Sequence, residues 1–346
     1  MRAITVQPGV ADSARLDDMP DPPASAGSVL VRTIAMGVCG TDIEIVHGEY
    51  GVAPPGAERL ILGHESLGEV VEAPGDSGLR PGQHVAGIVR RPDPVPCASC
   101  AAGEWDMCRN GQYTEHGIKG LHGFGAEYFR VDPEFAVPVD ASLGLAGVLI
   151  EPTSVVAKAW DHIERIAARA VWRPRRVLVT GAGPIGLLAA LLARQRGFEV
   201  HVLDRVTDGP KPDLVRDLGA TYHSTTVAEA GQDCDIVVEC TGVSQLVLEV
   251  MHVLQPSGIA CLTGVSSGGR SLPVDLGSLN RALVLENNVV FGTVNANRRH
   301  YEMAAEALAK ASRPWLDRLV NRRVPLEQWH DALNRRPDDV KPIITF

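Results

Sequence analysis

Three side chains in the first half of the chain are of types that bind zinc together. Cys39 lies in the segment VCGTD, His64 lies in GHES, and Glu151 opens an EP pair. A thiolate, an imidazole and a carboxylate suit zinc, and three protein ligands leave a fourth position for water or a substrate oxygen. The intervening 24 and 86 residues do not by themselves separate such a site from a packed cysteine and a solvated histidine. Catalytic zinc is therefore one of two open interpretations.

A second group of thiols lies on a loop rich in glycine and proline. Cys97, Cys100 and Cys108 fall within twelve residues, which is typical of a structural zinc lobe. Such a site normally closes with four ligands, and Asp93 is the nearest candidate for the fourth. The alternative is a degenerate lobe without metal.

A glycine-rich turn in the second half predicts a dinucleotide site. Its residues are Gly181, Gly183, Pro184, Ile185 and Gly186, in the pattern G-x-G-x-x-G. The glycines allow a tight turn and let backbone N–H groups approach a pyrophosphate, beside the positive end of a helix dipole. The predicted strand Arg176–Thr180 precedes the turn, and a helix-length apolar stretch follows it. This context favours a dinucleotide site over a plain strand-to-helix turn.

Asp204 ends the next predicted strand and bears on the choice of cofactor. A carboxylate there accepts hydrogen bonds from both ribose hydroxyls and repels a 2′-phosphate, which favours NAD. Arg205 follows at once and could instead face a phosphate. The prediction is NAD, with NADP as the alternative.

The predicted secondary structure that must position these groups differs between the two halves of the chain. The first 150 residues predict a β-rich region, with strands at Ala3–Val6, Val29–Ala35, Ser66–Val71 and His84–Val89 and few long helices. From Arg175 onward strands alternate with helices, which predicts a parallel, doubly wound sheet. The further elements expected there are strands Val200–Leu203, Asp235–Val238 and Ile259–Leu262 and helices Asp213–Leu218, Gln245–Leu254 and Tyr301–Lys310.

Length and charge exclude several partner classes. A chain of 346 residues is too long for one compact core, so two domains are expected. The balance of 33 basic against 42 acidic residues argues against nucleic acid. We find no apolar run of the roughly 20 residues that span a bilayer and no export signal, so we expect no membrane partner and a cytoplasmic location.

These motifs together resemble the zinc-containing medium-chain dehydrogenases across essentially the whole chain. The segments VCGTD, GHE, the cysteine lobe, the EP pair and GAGPIG occur in that family's order. Within the family the likeness is to glucose dehydrogenases, carried by the segments 39–44, 89–92, 106–108, 117–120, 122–124 and 292–295. The resemblance implies an α/β protein with a GroES-like catalytic domain at 1–150 and 293–346 and a Rossmann domain at 151–292.

The resemblance also assigns roles to individual residues. It makes Cys39, His64 and Glu151 the catalytic zinc ligands, with Glu65 a nearby carboxylate that can exchange with the metal. It gives Thr41 the contact to the substrate oxygen, Glu115 a sugar-binding role, Asn295 a place at the boundary of sugar and nicotinamide, and Thr241 a contact to the cofactor. Glu44 stands where many relatives hold a relay histidine. His116 is a further polar candidate for the sugar, although a solvated loop residue is the commoner interpretation.

The implied function is transfer of a hydride from C1 of an aldose such as glucose to NAD(P), giving the lactone, in a homodimer or homotetramer. Three departures from the family bear on this expectation. Pro94 replaces the first cysteine of the lobe, Glu44 replaces the relay histidine, and Asp204 opposes NADP. The alternatives are a polyol, alcohol or threonine dehydrogenase with the same zinc chemistry, or a zinc-free nucleotide-binding relative without catalysis.

Overall fold

The computed structural model describes residues 1–266, 268 and 271–346. Its contacts divide the chain into two units. The first unit is Met1–Ser154 together with Asn295–Phe346, and the second is Val155–Val294. The domain bounds that the resemblance implies are 150 and 293.

The described residues contain nineteen strands. They are β1 Arg2–Val6, β2 Arg15–Asp18, β3 Val29–Gly37, β4 Leu60–Ile61, β5 Glu65–Glu72, β6 His84–Gly87, β7 Arg90–Arg91, β8 Thr114–His116, β9 Gly120–Leu121, β10 Tyr128–Val131, β11 Ala136–Pro138, β12 Arg176–Thr180, β13 Glu199–Leu203, β14 Thr221–His223, β15 Cys234–Glu239, β16 Leu254–Leu262, β17 Val289–Gly292, β18 Arg322–Pro325 and β19 Pro342–Thr345.

The same residues contain eleven α-helices. They are α1 Gly40–Val46, α2 Ala98–Ala101, α3 Ile150–Ala167, α4 Pro184–Gln195, α5 Pro210–Asp217, α6 Val227–Ala230, α7 Ser244–Val250, α8 Leu276–Leu285, α9 Arg298–Ala309, α10 Arg313–Leu319 and α11 Trp329–Leu333. Short 3-10 helices lie at Ala24–Ala26, Trp105–Met107, Pro133–Phe135, Ala141–Leu149 and Leu326–Gln328.

The first unit is built on antiparallel pairing. Its largest sheet has the order β11-β6-β5-β3-β19-β18, with β10 also paired to β3. Strand β3 alternates buried and less buried residues at its start, as expected for a strand with one face on the core. Because β3 pairs with both β5 and β19, residues from the start and the end of the chain meet at Gly37, which lies opposite Glu65 and Ile343.

The second unit contains a six-stranded parallel sheet in the order β14-β13-β12-β15-β16-β17. Its central strands are short, buried runs of valine, isoleucine and leucine, because helices cover both faces of such a sheet. The chain progresses outward from β12 to β14 and then in the opposite direction from β15 to β17. The predicted doubly wound parallel sheet is confirmed.

Several helices differ from the sequence expectation, and α3 and α7 are examples. Helix α3 has 18 residues and was not expected; Pro152 lies within its first turn, where a missing N–H costs no helical hydrogen bond. Helix α7 ends at Val250 rather than Leu254, because Leu254 begins β16 and pairs with Cys234.

One helix is long and apolar enough to cross a membrane by length and composition alone. Residues Ala141–Ala167 form 27 helical residues with a mean hydropathy of 1.2 in the apolar window. Of that window 67% is buried inside the protein, as in the core helix of a globular protein. One helix of this kind is weak evidence for a membrane span.

Candidate functional site

A thiol, an imidazole and a carboxylate converge beside the central sheet of the first unit. Cys39 precedes α1, His64 directly precedes β5, and Glu65 is the first residue of β5. The pairing of Gly37 with Glu65 brings the end of β3 next to the start of β5. One ligand atom of each of Cys39, His64 and Glu65 lies within 4.8 Å of the other two. This donor set suits a single zinc ion.

The imidazole of this cluster faces a second carboxylate. Nδ1 of His64 lies 3.3 Å from Oδ1 of Asp42, outside hydrogen-bonding alignment, and both side chains are buried. The other carboxylate oxygen of Asp42 accepts a hydrogen bond of 2.8 Å from the backbone N–H of Cys39. Burial alone would lower the pKa of His64, but the charges of Asp42 and Cys39 outweigh it and raise that pKa well above its ordinary value. A histidine held by a carboxylate at one ring nitrogen is the usual arrangement at metal sites.

Glu65 is held by a lysine from the end of the chain. Nζ of Lys341 lies 2.6 and 2.7 Å from the two carboxylate oxygens of Glu65 and donates to the carbonyl of Val38 at 3.1 Å. The side chains are only 3% and 2% exposed. A Cβ on Gly37 would lie 2.0 Å from Oε2 of Glu65, so only glycine leaves room for the carboxylate.

Glu151, the third predicted zinc ligand, lies in the same electrostatic environment. Its carboxylate is not among the atoms within 4.8 Å of the cluster. Burial raises the pKa of Glu151 to about 7; the carboxylate of Glu65 also raises it, while His64 and Lys341 lower it. The pKa of Glu151 therefore depends on the charges of the cluster.

The two remaining predicted catalytic residues lie on α1. Thr41 is half-buried in the first turn of this helix, beside Cys39. Glu44 is exposed, one turn further along the helix. Thr41 is thus two residues from the cluster residue Cys39, at the start of the helix that Cys39 caps. Glu44, on the same helix, is exposed to solvent.

A buried polar group surrounds Glu115. Oε1 of Glu115 accepts hydrogen bonds from Nδ2 of Asn295 at 2.6 Å and from Nε and Nη2 of Arg90 at 3.1 and 3.0 Å. The guanidinium of Arg90 also lies 3.7 Å from the ring centre of Tyr113. The two predicted sugar contacts, Glu115 and Asn295, are therefore direct partners, and Arg90 fixes one oxygen of the carboxylate.

His116 follows Glu115 and is packed rather than solvated. Its ring stacks on Phe124 at 4.7 Å between centroids, and its Nδ1 lies 2.6 Å from the carbonyl oxygen of His122. Burial first, and then the charge of Arg91, lower the pKa of His116 to about 3. The side chain is therefore neutral near pH 7, which removes the interpretation of a solvated loop residue.

The cysteine lobe forms a second compact donor group in the first unit. Ligand atoms of Cys97, Cys100 and Cys108 lie within 4.8 Å of one another, and the sulfurs of Cys97 and Cys100 are 3.7 Å apart. Backbone N–H groups, that of Arg109 first, lower the pKa of Cys97 to about 6, which favours the thiolate that binds metals. Asp93 is buried, but its carboxylate is not within this group.

The glycine-rich motif of the second unit lies between β12 and α4, as predicted. Gly181 has φ +91°, and a Cβ on Gly186 would lie 1.8 Å from the carbonyl oxygen of Gly181. Pro184 occupies the first position of α4, with Gly183 as the N-cap residue. This turn and helix start are the arrangement that binds a pyrophosphate.

Asp204 lies directly against this turn. Its Oδ2 accepts a hydrogen bond of 2.6 Å from the backbone N–H of Ala182, and its Oδ1 accepts one of 3.2 Å from Val206. Arg205 is exposed. A Cβ on Gly181 would lie 2.9 Å from Cγ2 of Thr241, so the predicted cofactor contact also borders the turn.

Comparison with known proteins agrees with this geometry. Residues 25–141 match the family model for the alcohol dehydrogenase GroES-like domain, and residues 144–346 match the model for the glucose dehydrogenase C-terminus. The chain is 41% identical to glucose 1-dehydrogenase of Methanocella arvoryzae and 42% identical to glucose 1-dehydrogenase 2 of Vulcanisaeta moutnovskia, each over 99% of both chains. The solved structure of Haloferax mediterranei glucose dehydrogenase with NADP, Zn and gluconolactone is 33% identical, with a TM-score of 0.92 over 100% of this chain and 99% of that one.

The chain belongs to the medium-chain alcohol dehydrogenase family, in its glucose dehydrogenase branch. The resemblance inferred from the sequence motifs is confirmed. The α/β fold class, with a GroES-like and a Rossmann-type domain, is confirmed as well. So is the assignment to the NAD(P)-dependent dehydrogenases.

Three charged residues of this dehydrogenase site were missed by sequence reasoning. Asp42 lies within the quoted VCGTD segment but was given no role. Lys341 stands alone among apolar residues in VKPIITF, and a lone charge in a buried strand region is a sign of a buried partner. Arg90 was quoted for the resemblance only, although its register opposite Glu115 makes it that residue's partner.

Proposed function

We propose that this chain oxidises the C1 hydroxyl of an aldose such as glucose and transfers the hydride to NAD(P), forming the lactone. The observation that carries the proposal is the donor cluster of Cys39, His64 and Glu65 in the same unit as the Glu115 and Asn295 pair. The Haloferax relative, whose structure holds NADP, Zn and gluconolactone, supports it. Gluconolactone is the product expected from oxidation of glucose at C1.

The residues of the cluster fit zinc. Cys39, His64 and Glu151 would be the protein ligands, with Glu65 as the carboxylate that exchanges between Lys341 and the metal. Among the described residues the buried Oδ1 of Asp42 and Nδ1 of His64 have no hydrogen-bond partner, and they lie 3.3 Å apart, so Asp42 would orient the imidazole. When bound, zinc supplies Lewis acidity that lowers the pKa of the substrate hydroxyl.

The chain's own side chains would position the sugar and move its proton. The Thr41 hydroxyl would accept the C1 hydroxyl proton and pass it outward, toward the nicotinamide ribose or Glu65. Glu115 and Asn295 would hydrogen-bond the sugar hydroxyls, and Arg90 would hold the carboxylate of Glu115 in one orientation. The cofactor carries the redox chemistry, so these residues supply orientation and electrostatics.

The cofactor would lie against the turn at Gly181–Gly186 with its ribose near Asp204. We propose NAD as the preferred cofactor, because the Asp204 carboxylate opposes a 2′-phosphate. The exposed Arg205 favours NADP, and the Haloferax relative binds NADP. The preference therefore depends on which of these two neighbouring side chains the adenosine ribose meets.

We propose that the Cys97, Cys100 and Cys108 group holds a structural zinc.

We also propose that the protein assembles as a homodimer or homotetramer. Leu276, Val284 and Leu285 of α8 are 67%, 65% and 60% exposed, and β17 lies at the edge of its sheet. Exposed apolar side chains and a strand at the edge of a sheet each favour association with a second copy. The cytoplasmic location stays a prediction. Light scattering after size exclusion tests the assembly, and a monomer at micromolar concentration contradicts it.

Initial rates over a panel of aldoses, polyols and simple alcohols, each with NAD and with NADP, test the function. We expect kcat/KM to be highest for an aldose, with lactone as the product. Higher kcat/KM for a polyol or an alcohol would contradict the substrate class. Turnover by protein shown to be metal-free would contradict the zinc proposal while leaving the dehydrogenase class intact.

A further inference from the structure

A buried carboxylate outside the predicted site ties together three strand ends of the second unit. Glu239 is the last residue of β15 and is 0% exposed. It pairs in register with Thr180 of β12 and Leu262 of β16. Because β12 and β15 are the neighbours at which the strand order reverses, Glu239 lies at the topological switch point of the sheet. Ligands of doubly wound sheets bind outside the carboxyl ends of the strands at that point.

The carboxylate accepts hydrogen bonds from several groups of the adjoining loop. Its Oε1 accepts from the backbone N–H of Thr241 at 2.7 Å, from the Thr241 hydroxyl, and from the Thr180 hydroxyl at 3.2 Å. Its Oε2 accepts from the backbone N–H of Gly242 at 3.1 Å. None of the ion pairs in residues 1–266, 268 and 271–346 involves Glu239. Neutral donors therefore supply the hydrogen bonds without which this buried carboxylate would be unfavourable.

The backbone of the same residue holds the next loop. The carbonyl oxygen of Glu239 accepts from the N–H and the hydroxyl of Thr263, each at 2.8 Å, and from the N–H of Gly264 at 3.1 Å. A Cβ on Gly264 would lie 2.8 Å from Oε2 of Glu239 and 2.1 Å from the nitrogen of Gly242. The loops that follow β15 and β16 are thus packed around this one side chain.

This packing reaches the glycine-rich turn. Thr241, which Glu239 holds by two hydrogen bonds, is the residue that a Cβ on Gly181 would contact at 2.9 Å. The N–H of Cys240 also donates to the carbonyl of Thr180, one residue before that turn, at 3.1 Å. The position of residues 240–242 therefore limits the position of the turn that receives the pyrophosphate.

We infer that Glu239 is a positioning residue that holds residues 240–242 against the glycine-rich turn and so preorganises the dinucleotide site. A loop that is already ordered loses no further conformational entropy when the cofactor binds, so the free-energy cost of binding is lower. The carboxylate is suited to the task because it accepts at both oxygens, whereas the amide of a glutamine would point N–H groups at N–H donors. The inference rests on the proposed dinucleotide site and is independent of the sugar.

This role differs from that of Asp204 in its consequences. Asp204 would act at the ribose, so its removal changes the ratio of the affinities for NAD and NADP. Glu239 would act on the turn that both cofactors share. Its removal should weaken both to the same extent and leave their ratio unchanged.

The test is isothermal titration of the full zinc-loaded chain with NAD and, separately, with NADP. For Glu239→Gln we expect the Kd of both cofactors to rise about tenfold, as the loss of a buried hydrogen-bond set gives, with zinc content unchanged. Thr180→Val removes one donor with a side chain of similar shape and should raise both values about threefold. Glu229→Gln, the same change at an exposed position of the second unit, should alter neither.

The outcomes separate this role from a purely structural one and from the proposed function. If the folded Glu239→Gln and Thr180→Val proteins bind both cofactors like the unmodified chain, even with a lower Tm, the inference is overturned. If the ratio of the two Kd values changes, Glu239 acts at the ribose and the inference is again overturned. If the unmodified chain binds neither cofactor, the proposed dinucleotide function itself fails.

Discussion

The two units assemble polar groups in physically different ways. In the first unit, buried side chains of opposite charge meet: Asp42 faces His64, and Lys341 binds Glu65. In the second unit, the carboxylates of Asp204 and Glu239 are satisfied by backbone N–H groups and hydroxyls. Removing one member of a buried charge pair leaves an uncompensated charge, which costs more than the loss of a neutral hydrogen bond. Substitutions in the first unit should therefore have the larger effects.

The largest effect is expected when a metal donor itself is removed. Cys39→Ala should lower kcat/KM about a thousandfold or more, because several kcal/mol of Lewis-acid stabilisation is lost. Bound zinc, measured by mass spectrometry, should fall by one ion per chain while the circular dichroism spectrum stays unchanged. Cys240→Ala, the same change in the second unit, should retain the full zinc content. Unchanged activity of Cys39→Ala would contradict the metal assignment.

The buried pair of Lys341 and Glu65 tests the charge argument directly. Lys341→Met should lower the free energy of unfolding by about 3–5 kcal/mol, measured in denaturant with a chelator present, because the Glu65 carboxylate loses its only ion-pair partner among the described residues. Lys341→Arg should recover part of this loss.

A matched exposed pair supplies the control. Lys310 and Glu306 form an ion pair at 3.9 Å with side chains that are 70% and 73% exposed. Lys310→Met should cost at most about 1 kcal/mol, since exposed pairs contribute little. Equal losses in Lys310→Met and Lys341→Met would contradict the proposed difference between buried and exposed charge.

Sequence reasoning reached the second unit's site more completely than the first. The glycine-rich turn and Asp204 lie within one segment of 24 residues, and their roles follow from a local strand, turn and helix pattern. The cluster at Cys39 draws Lys341 from the opposite end of the chain through the pairing of β19 with β3. No local pattern encodes that pairing. Helix α3 was missed although its apolar residues recur with helical periodicity, because Pro152 in its first turn is a local signal for the end of a helix rather than its start.

A smaller effect is expected at Asp204, in the unit that relies on neutral donors. Asp204→Ala should shift the NADP to NAD ratio of kcat/KM toward NADP by about ten- to hundredfold, because one charge-assisted contact is worth about 1–3 kcal/mol. The variant loses the hydrogen bond to Ala182 whichever cofactor is bound, so the effect of that loss cancels in the ratio. Asp213→Ala, at an exposed ion pair of the same unit, should leave the ratio unchanged. If the unmodified enzyme already prefers NADP, Arg205 dominates and the NAD assignment is wrong.

The smallest effect on catalysis is expected at the cysteine lobe, which lies in the first unit but depends on backbone donors rather than on paired charges. The thiol of Cys97 is stabilised as a thiolate by the N–H groups of Arg109 and Cys100. If the lobe binds zinc, its free energy of binding contributes to folding, so Cys100→Ser should lower Tm while kcat of the folded enzyme stays within about twofold. A loss of about 2 kcal/mol corresponds to roughly 4–8 °C for a domain of this size.

Calorimetry with and without a chelator, combined with kcat, checks this expectation. The chelator should lower the Tm of the unmodified chain by more than that of Cys100→Ser, because the variant has already lost the ion. Cys39→Ala should show the opposite pattern, with a large loss of rate and a small change in Tm. The two sites then differ in what their metal does, although both use cysteine thiolates in the same unit. A Cys100→Ser enzyme with unchanged Tm and a much reduced kcat would mean that the two metal sites have been assigned the wrong way round.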